Sequence, residues 1–464
     1  MRCKPAHKNR APLPSGNPGD ILAALTIHPG TCSLYTPQQL FDEFGSSADV
    51  LAHAPFLERA RVEREHSRDY PARLALGAYV VARLVDRLLA GLEGVEAQEG
   101  FAWQLAAVRR HLADLPGDAP ESAHLRGIAD AVPAQPSPTP ALRLCLTAYA
   151  YFLEHEARLE EALDILGLAS RAHGAAVPPA EFAAMALFAG RLNRLLARWA
   201  AANTCYQRAE DSATSAGDLV TVLRSRLGRA AVARGQGNLP LSRSMAREVA
   251  GQAERNSLRE VEAMAWADLG VVLELQGSLE ESVQAKYRAF QLTEDSLSRM
   301  RVLGDLGISL LQLKAYASAR LAFEIVASSN TSFIVRTNAV LELMDLESVA
   351  GNRMAFERRR SEAEGSRERM PPSMLADFQF KAGVGMARFG RHKRAREFLT
   401  AGLQLSEEHR LNVWYFRFER ELKALEGLEA AEARQPEIAT PTTVESPVVE
   451  EVAVGLRQYA LSAG

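Results

Sequence analysis

The sequence contains few cysteines. Its four thiols are Cys3, Cys32, Cys145 and Cys205, and no two of them lie within four residues of each other. This spacing excludes a disulfide-rich scaffold and a Cys-x-x-Cys pair for zinc or redox chemistry. We therefore expect free thiols and a reducing, cytoplasmic location.

An excess of charge of either sign is also missing. Lys and Arg number 54 and Asp and Glu number 57, for a formal net charge of −3, which argues against a nucleic-acid interface over the whole protein. The most hydrophobic long window, 74–92, contains Arg83, Asp86 and Arg87. Each charge would cost roughly 2.5–3.5 kcal/mol inside a bilayer, so we expect no membrane association.

Motifs for catalysis or metal binding are absent as well. His155 and Glu156 are not followed by a second histidine at the spacing of a zinc helix, and Gly235-Gln236-Gly237 lacks the third glycine and the lysine of a phosphate loop. We expect no catalytic residues, no metal, no cofactor and no enzyme activity. An active site assembled from residues far apart in the chain is the alternative that a single sequence leaves open.

Helix-forming residues dominate the chain, and alternating strand patterns are nearly absent. Four prolines within 133–140 interrupt any helix and mark the best internal boundary. The predicted organisation is a loose N-terminal segment (1–35), an irregular helical region (36–134), a repeat region (141–410), a capping helix (411–430) and a flexible tail (431–464).

Glycines recur at regular intervals inside the apolar helical stretches of the repeat region: Gly190, Gly228, Gly270, Gly307 and Gly383. Their numbers differ by 38, 42, 37 and 76. The last interval is twice the first, so one repeat has its glycine replaced, at Met344. One further period before the first glycine lies Ala150. The period predicts seven helix pairs, which must stack because a lone pair cannot bury its apolar face.

Individual repeats carry a recognisable pattern. The fourth reads Trp266-Ala-Asp-Leu269-Gly270, followed by Ser282, Tyr287 and Ala289, and the fifth reads Leu306-Gly307, followed by Ala319, Phe323 and Val326. This pattern resembles the tetratricopeptide repeat. The resemblance implies an all-α, right-handed superhelical solenoid of antiparallel helix pairs, with flexible N- and C-terminal tails. The repeats are longer than the usual length of about 34 residues, and such lengthened repeats are similar to the helical sensor regions of bacterial transcription regulators.

The resemblance places the first helix of each pair along a concave groove. The predicted lining is Leu187, Arg191, Arg194, Arg229, Val271, Glu274, Ile308, Leu311, Phe380 and Arg388. Apolar positions and an arginine cluster at one end suit a peptide or helix with an apolar stripe and an acidic end. The alternative for each arginine is a pair with a neighbouring glutamate, or a stem that covers apolar surface.

These features favour a non-catalytic scaffold or adaptor that binds a protein or peptide partner in the groove. The alternative is the signal-sensing half of a bacterial transcriptional regulator, which would bind a small molecule or a partner protein. The basic runs 358–360 and 391–396 lack the interleaved aromatic residues of single-strand binding and are interpreted as solvated helix faces, so no direct nucleic-acid partner is expected. The oligomeric state stays open.

The last apolar segment, 448–461, follows a polar stretch rich in proline and threonine. Its apolar residues recur at helical spacing, and docking on a partner or back into the groove is one interpretation of this pattern. An unstructured tail that binds nothing is the alternative.

Overall fold

The computed structural model describes residues 52–65, 69–115, 117, 119–132, 140–172, 177–409, 411–430 and 446–463. These residues contain 20 α-helices, one 3-10 turn at Arg367–Arg369 and no strand. The all-α prediction is confirmed. The predicted loose segment 1–35 and nearly all of the predicted boundary 133–140 lie outside the described residues. The chain divides into two compact units, 1–182 and 183–464, which we call the N-terminal and C-terminal units.

The helices in chain order are α1 (Ala54–Glu65), α2 (Asp69–Leu89), α3 (Val95–Ala113), α4 (Pro120–Ala131), α5 (Pro140–His155), α6 (Leu159–Arg171), α7 (Pro179–Leu195), α8 (Trp199–Ala216), α9 (Leu219–Gly235), α10 (Leu239–Arg255), α11 (Arg259–Leu275), α12 (Leu279–Leu292), α13 (Ser296–Gln312), α14 (Tyr316–Ser328), α15 (Phe333–Val349), α16 (Arg353–Glu364), α17 (Pro372–Arg388), α18 (His392–Glu408), α19 (Asn412–Ala430) and α20 (Pro447–Ala463).

The N-terminal unit, with helices α1–α6, is held together partly by a buried polar network. The Glu121 carboxylate accepts hydrogen bonds from Tyr149 (2.7 Å), Arg59 (3.0 Å) and Arg158 (2.8 Å). Burial by itself raises the pKa of Glu121, but the bond from Arg158 and the charge of Arg59 hold that pKa below its ordinary value. Because the buried charges satisfy one another, the network fixes the relative positions of the helices that carry them.

Helices α7–α18 form the repeated helix pairs of the C-terminal unit. The two helices of a pair pack on each other, and each second helix also packs on the first helix of the next pair. Successive first helices touch as well, as in α9 with α11 and α15 with α17. The predicted stack of helix pairs is confirmed, whereas the hand of the superhelix stays a prediction.

Equivalent turns between the helices of each pair establish the register of the repeat. Every turn has a residue in the left-handed region, and a backbone N–H one residue later bonds a carbonyl five residues back, as in Ser278 to Leu273 (2.9 Å). This is the Schellman arrangement that ends a helix. The left-handed residues are Ala157, Ala197, Gly237, Gly277, Lys314, Gly351 and Gly390.

We number each repeat from a reference residue, which lies seven residues before the left-handed one. The reference residues of the seven repeats are Ala150, Gly190, Ala230, Gly270, Gly307, Met344 and Gly383. The first repeat, α5 with α6, belongs to the N-terminal unit.

The third repeat departs from the predicted register. Its reference residue is Ala230 rather than Gly228, which lies two residues earlier. A Cβ on Gly228 would overlap the ring of Tyr206 from the preceding pair. Glycine is therefore needed at position 228 for packing between pairs, while alanine suffices at the reference position of this repeat.

Close approach within a pair depends on the reference residue. A Cβ on Gly190 would lie 2.8 Å from the Tyr206 ring, and one on Gly307 would lie 2.5 Å from the Phe323 ring. The large residue stands at position +16 in each case, which places it on the facing turn of the second helix. These distances from an added Cβ are far shorter than ordinary carbon–carbon contacts of about 3.5–4.0 Å. At these two glycines, a larger residue therefore fits only if the facing ring or the helix that carries it moves away.

Two helices follow the last pair. Helix α19 packs on α17 and α18, and its Phe418 ring lies against Gly402. Helix α20 lies within the segment predicted as a flexible tail, 431–464, and packs on α12 and α14. The physical reason is its apolar stripe, in which Val452 and Leu456 are completely buried. In the part of the chain that the structure describes, no helix is both long and apolar enough to cross a membrane.

The helix-pair contact can be tested with two glycines on α13. We expect Gly307→Ala to destabilise the fold by about 1–3 kcal/mol because its methyl group meets Phe323. Gly304→Ala, three residues earlier, has open space at its Cβ and should gain about 0.5–1 kcal/mol from helix propensity. Urea denaturation followed by circular dichroism compares the two variants. Equal stabilities would contradict the role given to Gly307.

Candidate functional site

The surface formed by successive first helices is the candidate site. We call the inner row the set of first-helix residues at positions −3, +1, +4 and +5 from the reference residue of each pair. Its main members are Leu187, Arg191, Arg194, Leu195, Leu227, Ala231, Arg234, Val271, Glu274, Leu275, Ile308, Leu311, Gln312, Asp345, Ser348, Phe380, Val384 and Arg388. Nine of the ten residues predicted to line a groove belong to this set, the exception being Arg229.

Several apolar side chains of the inner row are incompletely covered. Val271, Ile308 and Leu311 are half-buried. Leu195 and Leu275 are exposed, at 47% and 59% of their surface. Leucines that stay this open beside half-buried neighbours form an apolar strip on which a ligand can pack. Sequence reasoning missed Leu195 and Leu275, although both occupy position +5 once the register is known.

The arginine end of the inner row lies on α7. The Arg191 guanidinium is 5.0 Å from the centre of the Phe188 ring, and Arg194 lies beside the hydroxyl of Tyr206. Burial raises the pKa of that hydroxyl, so Tyr206 stays neutral. Both arginines thus lie against aromatic side chains, which cover part of their stems.

Arg229 has a different environment from the other predicted arginines. It occupies position −1 of the third repeat, and its guanidinium donates to Glu210 (3.1 Å), which also accepts from Arg226 (2.8 Å). By register, the residues of this repeat equivalent to Val271 and Glu274 are Ala231 and Arg234. Arg234 in turn pairs with Asp268 on the next first helix (2.9 Å).

Glu274 is the centre of a polar cluster in the middle of the inner row. Its carboxylate accepts hydrogen bonds from the Lys286 ammonium, from Ser309 (2.6 Å) and from Gln312 (2.9 Å). Lys286 also donates to the backbone carbonyl of Asp305 (3.1 Å). Burial alone raises the pKa of Glu274, but the Lys286 and Ser309 bonds outweigh it and lower that pKa. The cluster joins the fourth and fifth repeats and fixes the backbone of both first helices.

The C-terminal end of the inner row is largely occupied by the protein itself. Phe380 packs on Trp414 and Phe418 of α19, with ring centres 5.8 Å and 5.6 Å away. Arg388 pairs with Asp345 at 2.7 Å. These two predicted lining residues therefore make contacts between elements, and the open part of the inner row lies in the second to fifth repeats.

No group of three or more His, Cys, Asp or Glu side chains suited to a metal ion occurs among the described residues. The inner row offers apolar surface, arginine charge and one polar cluster. Chemically, this arrangement suits the binding of a chain segment.

The described residues of the C-terminal unit form a stack of antiparallel helix pairs, the architecture that the tetratricopeptide resemblance implies. No profile of a known protein family matches the sequence, and no curated protein matches it. Solved structures do resemble it. The Rap conjugation gene regulator of plasmid pLS20 in complex with the Phr* peptide is 11% identical, with 73% of this chain and 97% of that chain covered and a TM-score of 0.43. NprR in complex with its cognate peptide NprX is 11% identical, with 80% and 98% covered and a TM-score of 0.42. The apo quorum sensor NprR from B. thuringiensis is 11% identical, with 79% and 98% covered and a TM-score of 0.44.

The Glu274 cluster yields a prediction about stability and pH. Lys286→Met leaves a half-buried carboxylate without its cation, which should cost about 3 kcal/mol at pH 7. The folded pKa of Glu274 lies below its ordinary 4.5, so the ion pair stabilises the wild type fully above that pH and less as pH falls through the folded pKa. In the variant burial is no longer outweighed and the pKa of Glu274 rises, so the deficit should shrink as the pH falls.

Denaturant unfolding at pH 7 and pH 5 measures this deficit. The double variant Glu274→Gln/Lys286→Met serves as the control, because it removes both charges and should lose less stability at pH 7 than Lys286→Met alone. A deficit that is the same at both pH values and in both variants would show that Lys286 contributes only its packing.

Proposed function

We propose that this protein is a non-catalytic scaffold whose inner row binds a peptide or helix with an apolar stripe and an acidic end. The observation that carries the proposal is the combination of the exposed Leu195 and Leu275 with the arginines Arg191 and Arg194 on one row. Apolar contacts supply most of the affinity in such a complex, and the arginines select and orient an acidic group.

The dimensions of the open part of the row indicate the length of the ligand. Packed helices lie about 8–10 Å apart, so the three steps from the second to the fifth repeat span roughly 30 Å. An extended chain covers about 3.3–3.6 Å per residue, which corresponds to about nine residues. A helical ligand would need about 20 residues for the same span.

The direction of the ligand follows from the charges. Arg191 and Arg194 lie in the second repeat, whereas Glu274 has its own cation and hydrogen-bond donors in the fourth and fifth repeats. The acidic end of the ligand would therefore lie at the second repeat, and its apolar residues would lie along Leu275 and Ile308. A short amphipathic peptide with one acidic end is the matching probe.

The binding proposal is tested by charge reversal. Arg191→Glu/Arg194→Glu should weaken binding of a fluorescein-labelled 15-residue peptide, with leucines along one side and three aspartates at one end, by at least tenfold. The reason is that each charge-assisted contact contributes about 1.5–3 kcal/mol. Fluorescence anisotropy titration gives the Kd. A matching peptide with lysines in place of the aspartates should bind the variant no more weakly than it binds the wild type.

The matched control is Arg243→Glu/Arg247→Glu, which makes the same charge change on the second helix α10, where both arginines pair with Glu281. We expect this control to bind the aspartate peptide like the wild type. If both double variants lose affinity equally, net charge rather than the inner row governs binding, and the assignment of the site is wrong.

A further inference from the structure

Helix α20 occupies a surface made by two second helices, whereas the inner row lies on the first helices. It packs on α12 and α14. Val452 and Leu456 join the hydrophobic core of the fourth and fifth repeats, together with Val283 and Phe290. The Tyr459 ring meets the Phe290 ring edge to face, with centres 5.1 Å apart. An amphipathic helix in an apolar groove is a common mode of peptide recognition.

The fit of α20 depends on one residue that has no side chain. Gly455 faces Tyr287 of α12, and a Cβ at this position would overlap the tyrosine hydroxyl. With any other residue here, either the helix would lie farther from α12 or the Tyr287 ring would have to turn away. The contact therefore selects helices by shape as well as by hydrophobicity.

The surface beneath α20 is a departure from the repeat. Val283, Tyr287 and Phe290 occupy positions +13, +17 and +20 from Gly270. The equivalent residues of the third repeat are Arg243, Arg247 and Ala250, and those of the second repeat are Asn203, Gln207 and Glu210. Stacking of helix pairs does not require large apolar residues at these positions, because the second and third repeats stack with polar or small ones. The apolar triplet of the fourth repeat serves the docked helix.

The attachment of α20 is apolar. Among the described residues, no side-chain hydrogen bond or ion pair joins α20 to α12 or α14, and Leu461 at the end of the helix is 85% exposed. Segment 431–446 joins α19 to α20, and a chain of this length reaches at most about 55 Å. Helix α20 can therefore leave its site without breaking any hydrogen-bonded element of the repeat pairs.

We propose that the α12–α14 surface is a second protein-docking site, which takes an amphipathic helix from a partner protein, and that α20 is the chain's own competitor for it. The partner helix would carry branched apolar residues at i and i+4, glycine at i+3 and an aromatic residue at i+7, as α20 does with Val452, Leu456, Gly455 and Tyr459. This site shares no residue with the inner row, since it lies on the second helices.

The test uses the full chain and a labelled synthetic peptide of residues 446–463 as the probe. Val452→Asp/Leu456→Asp should release α20, because each aspartate would be buried without a partner. We expect this variant to bind the peptide at least tenfold more tightly than the wild type, in which α20 fills the site. A peptide with Gly455→Leu should bind at least tenfold more weakly, and a peptide with Leu461→Ala should bind as the parent does.

Circular dichroism checks that the double variant keeps its helices, and the full chain with Gly455→Leu provides a second way to release α20 if the double variant does not fold. Equal binding to wild type and released variants, or no binding to either released variant, would overturn the proposal. Native mass spectrometry of the same samples tests whether a second copy of this chain occupies the site instead. A wild-type dimer that both variants lose would show that a second copy, rather than a partner helix, takes the site.

Discussion

The packing of the C-terminal unit depends on one close contact that recurs in four of its six helix pairs, in which a glycine on the first helix lies against a large side chain at position +16 on the second. Gly190, Gly270, Gly307 and Gly383 make this contact with Tyr206, Lys286, Phe323 and Leu399. Because the two helices of a pair approach so closely, their side chains pack together as a single layer. The next pair then has an apolar face to cover, and stacking follows because that face is too large to leave in water.

Through the same contact, a side chain of the second helix can bond residues on the first-helix surface. At the fourth repeat the large residue is a lysine, whose stem lies against Gly270 and whose ammonium bonds Glu274 of the inner row. A buried ammonium is unfavourable unless it is paired. The repeat therefore accepts a polar residue at this position only because a carboxylate and a hydroxyl from two first helices meet it there.

The period and the helical class could be predicted from the sequence because small residues in the apolar helices recur with the repeat length. The register of the third repeat could not be read from the helical glycines alone, since Gly228 packs against the preceding pair rather than within its own. Gly237 is the better signal, because it occupies the left-handed turn position, as do Gly277, Gly351 and Gly390, and counting back seven residues gives Ala230. The pairing of Arg229 with Glu210 could not be predicted, because it joins residues 19 apart whose facing depends on that register.

The position of the C-terminal helix shows how a repeat protein can make two different surfaces from one period. Positions on the first helices define the inner row, and substitutions at those positions change its charge from arginine in the second repeat to glutamate in the fourth. Positions +13, +17 and +20 on the second helices vary between repeats because the stack does not require large apolar residues there. Where three of them become apolar in one repeat, a docking surface for a helix arises. Lys286 and Tyr287 are consecutive on α12, and the first contacts the inner row while the second contacts α20. The geometry of both surfaces thus depends on the placement of this one helix.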